Sequence, residues 1–245
     1  MKNKSKIMIV LLVFLGACSS DNTSQDDPPD MSVNDARSGK DIAENDIKDA
    51  DLALDTTDQD SLKVCEAIPP EFIFEPETNL EKLLGCEIVL SPIEFVEYFE
   101  TKITGLDSLR ELGPKAILNI HLTPNLVDMD TFANLELVKS DVLISDAPVL
   151  TNLKGFRKLR RIEGWLSLVA ISIKNFDGLQ NLEYVGELFL DLYDLVSFEG
   201  LENLSEVKGD FSLSAPKISE TQFREFLEGK TIGGDIRFQN KPFVR

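Results

Sequence analysis

The sequence predicts a mainly β chain built as a solenoid of stacked coils, with a parallel sheet and short capping helices. Three observations predict it. A motif recurs along the chain, its anchors Leu106, Phe132, Phe156, Leu179 and Leu201 standing 26, 24, 23 and 22 residues apart. Within each copy, apolar residues fall at the anchor, three and six residues on, and again about ten and twelve residues on. That last pair alternates as a strand with one buried face does. No single copy can bury its own apolar face, so stacked neighbours must supply the core.

The copies read LDSLRELGPKAILNIHL from Leu106, FANLELVKSDVLIS from Phe132, FRKLRRIEGWLSL from Phe156, LQNLEYVGELFLDL from Leu179 and LENLSEVKGDFSLS from Leu201. Gly164, Gly186 and Gly209 precede the strands, and Gly155, Gly178 and Gly200 precede the anchors. These glycines suit tight corners.

The elements before the repeat give an address and a spacer. Lys2, Lys4 and Lys6 make a positive start, and Ile7–Ala17 is an uncharged, mostly apolar run of 11 residues. A helix needs about 20 residues to cross a hydrocarbon core of about 30 Å, so residues 1–17 read as an export signal. The run ends Leu15-Gly16-Ala17-Cys18, which resembles the lipobox of bacterial lipoproteins. The resemblance implies cleavage before Cys18 and a lipid on that cysteine, anchoring the chain to a membrane of the bacterial cell envelope. Acyl chains contribute about 0.8 kcal/mol per buried CH₂, so several make a lasting anchor. Ser19 in place of Asp is similar to enteric lipoproteins sent to the outer membrane.

Residues 18–62 follow as the anchor cysteine and a tether. From residue 19 to 62 there are 13 acidic residues, three basic ones (Arg37, Lys40, Lys48) and no aromatic. Such a segment buries too little apolar surface to offset its ordering entropy, and predicts a disordered, self-repelling spacer. As a flexible coil it would span roughly 35–40 Å. An acidic tail that binds a cation or partner is the other reading.

The folded domain is expected over 63–245. With Cys18 lipidated, Cys65 and Cys86 remain, and in an oxidising compartment they most simply form one disulfide. Two buried thiols are the alternative. Capping boxes at Thr78–Glu81, Ser91–Glu94 and Ser219–Gln222 predict short helices near 79–84, 92–101 and 220–228. A final coil carries Ile232, Ile236 and Phe238 inward.

The repeated motif F/L-x-x-L-x-x-V-x-G-x-L-x-L resembles the receptor L domain, a ligand-binding module of growth-factor-type receptors with relatives in bacterial lipoproteins. Period and LxxL spacing overlap those of leucine-rich repeats, but the usual Asn after the strand is not repeated. The resemblance covers about 86–240. It implies a right-handed β-helix of about six coils with a Cys-stapled start. The Cys-rich modules and kinase that flank receptor L domains are lacking, so signalling by that route is not implied.

If offsets ten and twelve face inward, the odd offsets face water. One outer column then reads Lys115, Asp141, Trp165, Glu187, Asp210, Asp235. The next begins Ile117, Leu143, Ser167, Phe189, and the third Asn119, Ser145, Val169, Asp191. Ile117, Leu143, Trp165, Val169 and Phe189 form the candidate binding surface, since an exposed apolar patch rimmed by charge marks a partner site. A loop, the tether or a twin subunit covering the patch is the plainer reading. Glu187, Asp210 and Asp235 stack three carboxylates, which could hold a hard cation or do acid/base work, or simply guard the sheet against aggregation. His121 faces outward at a strand end.

Composition narrows the function. One His among 245 residues excludes two-His metal sites. With 43 Asp+Glu against 25 Lys+Arg, general nucleic-acid binding is disfavoured, because it needs a cationic surface. No nucleophile motif and no glycine-rich phosphate loop point to catalysis or a cofactor. The expected function is a noncatalytic, membrane-anchored recognition or adhesion domain that binds a protein or glycan through its exposed sheet face. The alternatives are a structural envelope protein that associates laterally and a β-helix polysaccharide-active enzyme. Short, even coils leave the enzyme little room for a groove of long loops.

Overall fold

The computed structural model describes residues 62–65 and 80–244. The expected signal over 1–17, Cys18, the tether as far as Ser61, and Thr78 of the first capping box lie outside the described residues.

The chain is mainly β. In chain order the first strands are β1 (Val64–Cys65), β2 (Ile88–Val89), β3 (Ile93–Val96), β4 (Glu111–Leu112), β5 (Leu118–His121), β6 (Leu137–Val138) and β7 (Val142–Ala147). Then come β8 (Arg161–Ile171), β9 (Tyr184–Asp191), β10 (Glu206–Val207), β11 (Phe211–Ser214), helix α1 (Glu220–Leu227), β12 (Thr231–Ile232), β13 (Ile236–Phe238) and β14 (Lys241–Pro242). Among the described residues they form one sheet of fourteen strands that does not close on itself, parallel in every pairing except β13 with β14.

The sheet consists of two parallel ladders. The short strands β1, β2, β4 and β6 pair in sequence, and the ladder continues through the first residues of β8 and β9 into β10 and β12. Strands β3, β5, β7, the later part of β8, the later part of β9, β11 and β13 make the second ladder. The two join because β8 and β9 run unbroken from one into the other, with a register irregularity between Ile162 and Trp165. Paired residues in the second ladder lie 22 to 25 positions apart, which is the period of the sequence motif.

Alternation follows the expected faces. Val142 and Ile144, Leu166 and Leu168, Leu188 and Leu190, and Phe211 and Leu213 are all buried. So are the anchors Leu106, Phe132, Phe156, Leu179 and Leu201, and the apolar residues three and six positions on. Together they make one continuous core. Each fully buried Leu or Phe contributes about 1.5–3 kcal/mol of transfer free energy, so repetition of the pattern favours the stack.

Asparagines two residues after three anchors lace the repeats together. The side-chain amides of Asn134, Asn181 and Asn203 donate to the backbone oxygens of Asp107, Arg157 and Gln180 in the preceding repeat at 2.7, 2.6 and 2.6 Å. Lys158 stands in the same place and donates to Asn134 Oδ1 at 2.7 Å.

Two expectations need correction. The segment expected as a helix over 92–101 is strand β3 followed by bends. Its Ser-Pro-x-Glu pattern imitates a helix start, but Ile93 and Phe95 alternate into the core beside Leu118 and Ile120, and that burial prevails over the local cap. The first copy is also shifted by two residues. Leu118 and Ile120, rather than Ala116 and Leu118, align with Val142 and Ile144, because the corner at Pro114–Lys115 takes up the extra length.

The helix expected near 79–84 appears as a single 3₁₀ turn, Leu80–Leu83. Helix α1 begins as its capping box requires: the Ser219 side chain accepts from Gln222 N–H, and the Gln222 side chain accepts from Ser219 N–H. It packs Phe223 and Leu227 against the end of the core. Just beyond it, Lys230 Nζ donates to the Leu204 and Leu201 carbonyls at 2.7 and 3.3 Å, and burial pushes its ammonium below the usual lysine range. Ile232, Ile236 and Phe238 are partly buried against the core, and the β13–β14 hairpin finishes the edge.

Cys65 and Cys86 form a disulfide with Cα atoms 5.9 Å apart, tying β1 to the residues before β2. It closes a separation of 21 residues, so its loss should destabilise the full chain by about 3 kcal/mol through the entropy returned to the unfolded state. Denaturant unfolding of Cys65→Ser with Cys86→Ser against the unmodified chain checks this; equal midpoints would refute it.

Candidate functional site

The outward positions of the second ladder define a face of three columns. Register puts Ile117, Asp141, Trp165, Glu187, Asp210 and Asp235 in the first column. Asn119, Leu143, Ser167, Phe189, Ser212 and Arg237 make the second. His121, Ser145, Val169, Asp191 and Ser214 make the third. The two-residue shift of the first copy therefore moves Ile117 out of the column of Leu143 and into that of Trp165, and moves His121 beside Ser145.

Four of the five expected surface residues meet around one small side chain. Ser167 pairs with Leu143 on one side and Phe189 on the other. Trp165 and Val169 flank it along β8 on the same face. Ser167 thus has four large apolar residues as its neighbours on this face. Ile117 lies diagonally beyond Leu143. Trp165 and Phe189 are 52% and 45% exposed, while Ile117, Leu143 and Val169 are half-buried.

Next to this group, Ser212 floors a hollow of about 140 Å³. Trp165 and Phe189 form its aromatic side, Glu187, Asp210 and Asp235 its acidic side, and Arg237 stands across from Phe189. On the other flank of Trp165 a more open hollow of about 350 Å³ is lined by Asp141, Glu163, Glu187 and Lys208. The tryptophan therefore stands as a fin between two acidic-lined depressions.

Backbone packing fixes the floor. Asp141 Oδ1 accepts from Trp165 N–H at 2.8 Å, and Asp210 Oδ1 accepts from Asp235 N–H at 2.8 Å. The glycine before each donor makes room: a Cβ on Gly164 would overlap the Asp141 carboxylate, and one on Gly234 that of Asp210. Gly164 and Gly186 therefore serve close approach within β8 and β9 rather than the corners expected of them.

The carboxylate stack is real in register, but among the described residues no three His, Cys, Asp or Glu are placed to hold a metal ion. Asp210 is turned to its neighbour's backbone N–H instead. His121 gathers a hydroxyl and a carboxylate, with Nδ1 2.7 Å from Ser145 Oγ and 3.4 Å from Asp146 Oδ2. Both approach the same ring nitrogen, whereas a proton relay needs them on opposite ones.

A further hollow, absent from the sequence expectations, lies at the C-terminal ends of β3, β5, β7 and β8 and measures about 590 Å³. Glu97, Leu122, Asp146 and Ala170 follow one another there, all with left-handed backbone at φ between 52° and 54°. Phe99, Pro124 and Pro148 supply the apolar wall. The recurring Pro two residues after the left-handed position, in Leu122-Thr123-Pro124 and Asp146-Ala147-Pro148, was the available signal.

Among the described residues no helix is long and apolar enough to cross a membrane. No protein-family model, curated protein or solved structure matches the chain.

Proposed function

We propose that this chain is a noncatalytic recognition module that binds a partner through the outward face of its parallel sheet, in the Trp165–Phe189 region. One observation carries the reading: two large aromatic side chains, about half exposed, stand side by side on a rigid sheet and border a formed hollow. Solvating such rings is costly, and aromatic residues in this setting are the side chains that dominate binding surfaces. The 22–25 residue spacing between paired parallel strands supports a right-handed solenoid of the receptor L-domain kind. The residues up to Cys18 support a lipid-anchored position in the bacterial cell envelope, with the acidic tether as spacer.

Trp165→Ala with Phe189→Ala is expected to abolish binding of the full chain to whatever it selects from defined peptide and glycan arrays, a loss of at least about tenfold. Thermal stability should change little, because neither ring is buried. Undiminished binding by the double variant would dismiss the sheet face. Lateral self-association, the structural alternative, would show instead as a concentration-dependent increase in mass.

A further inference from the structure

We infer that the hollow beside Trp165 and Phe189 receives a cationic side chain, lysine or arginine, presented by a basic segment of a partner protein. This rests on the recognition reading above and names its ligand class.

The first argument is charge complementarity. Among the described residues, the outward columns carry Glu94, Asp141, Glu187, Asp191, Asp210 and Asp235 against Arg237 as the lone permanent cation. Around the hollow itself, Glu187, Asp210 and Asp235 face one guanidinium. Neither Glu187 nor Asp235 uses its side chain in a hydrogen bond or ion pair among the described residues, so both carboxylates are available to a ligand.

The second argument is how the chain treats its other rings. Arg161 lies 3.6 Å from the Tyr184 ring centroid, Arg224 4.5 Å from Phe243, Lys230 4.6 Å from Phe226 and Lys217 5.6 Å from Tyr193. Among the described residues no cation lies over Trp165 or Phe189. Tryptophan is the strongest ring for this contact, and its cross-strand neighbours Asp141 and Glu187 are both anionic, so an incoming cation meets the ring and the carboxylates together.

The same charge argues against the other occupants. A second copy of the chain presents the same acidic face, and residues 19–62 carry 13 acidic residues against three basic. Like-charged surfaces do not dock face to face without a counter-charge. Anionic lipid and nucleic acid are repelled for the same reason. A neutral glycan could stack on the rings but would leave the carboxylates without a charged partner.

Trp165 is the only tryptophan in the chain, so its emission reads the hollow directly. The full chain is titrated with an arginine-rich peptide, a neutral peptide of equal length and a neutral β-glucan oligosaccharide. The arginine-rich peptide alone should change the emission, with Kd rising about tenfold between about 0.05 M and about 0.5 M salt. Glu187→Gln with Asp235→Asn should raise that Kd by at least about tenfold. Glu136→Gln with Glu183→Gln removes as much charge from exposed positions outside the three columns and should leave Kd unchanged. Equal weakening by both pairs would overturn the site in favour of diffuse attraction. A response to the oligosaccharide and not the peptide would overturn the ligand class while leaving the recognition reading standing. Silence toward all three probes, with array binding intact in the Trp165→Ala and Phe189→Ala double variant, would end both.

Discussion

Phe223→Ala should lower the stability of the full chain by about 3–5 kcal/mol, the range for emptying a fully buried phenylalanine site. Phe223 is inaccessible to solvent and sits at the meeting point of the C-terminal elements. Its ring centroid lies 4.9 Å from Phe238, 5.0 Å from Phe243, 5.3 Å from Phe211 and 6.2 Å from Phe198. Those rings come from β13, the segment after β14, β11 and the turn before Leu201, so one side chain joins four parts of the chain. Helix α1 lays Phe223 over the apolar side chains of β11 and β13 and so covers that end of the described core. The cavity has no obvious way to collapse, because its walls are aromatic rings already stacked on one another. Urea unfolding monitored by circular dichroism measures the effect, and a loss under about 1 kcal/mol would show that the helix does not hold the end of the core. Phe223→Leu should recover part of the loss, since it restores apolar volume.

Gly178→Ala should be at least as damaging, costing about 3 kcal/mol or more, or preventing folding. Two causes combine. Gly178 has φ +117°, a conformation that an L residue scarcely reaches, and a Cβ there would overlap the backbone of Leu153 and Lys154 in the preceding repeat. That obstacle is main chain in the middle of the stack, so it has no rotamer with which to move aside. Gly229→Ala separates the two causes. Gly229 has φ +73° just past α1, and nothing lies within 4 Å of the place an alanine methyl would occupy. It should therefore lose only about 1 kcal/mol. Denaturation midpoints of the two variants give the comparison. Equal effects would mean that backbone conformation alone matters and that the close approach of repeats at Gly178 is tolerant.

The difference between these glycines illustrates what was legible beforehand. The Gly before the anchors Phe156, Leu179 and Leu201 is visible as a recurrence, and a tight corner follows from it. That its Cβ position is filled by the previous repeat is a fact about two segments one repeat apart. Ser91-Pro92-Ile93-Glu94 shows the converse: a good local helix signal yields to a strand because the neighbouring repeat offers Ile93 and Phe95 a buried face. Of the candidate surface, Leu143, Trp165, Val169 and Phe189 were identifiable from alternation. Their gathering around Ser167 was not, nor was the removal of Ile117 from the column of Leu143.

The amino-acid order alone determined the repeat and the inward residues Leu166, Leu188 and Phe211, because side-chain alternation and period are properties of a short stretch of chain. Tertiary structure decided the register of the first copy, the merging of two ladders through β8 and β9, and the acidic neighbours of Trp165. Those depend on which residues lie opposite one another across strands, and a corner two residues longer changes that pairing without altering the alternation within any strand.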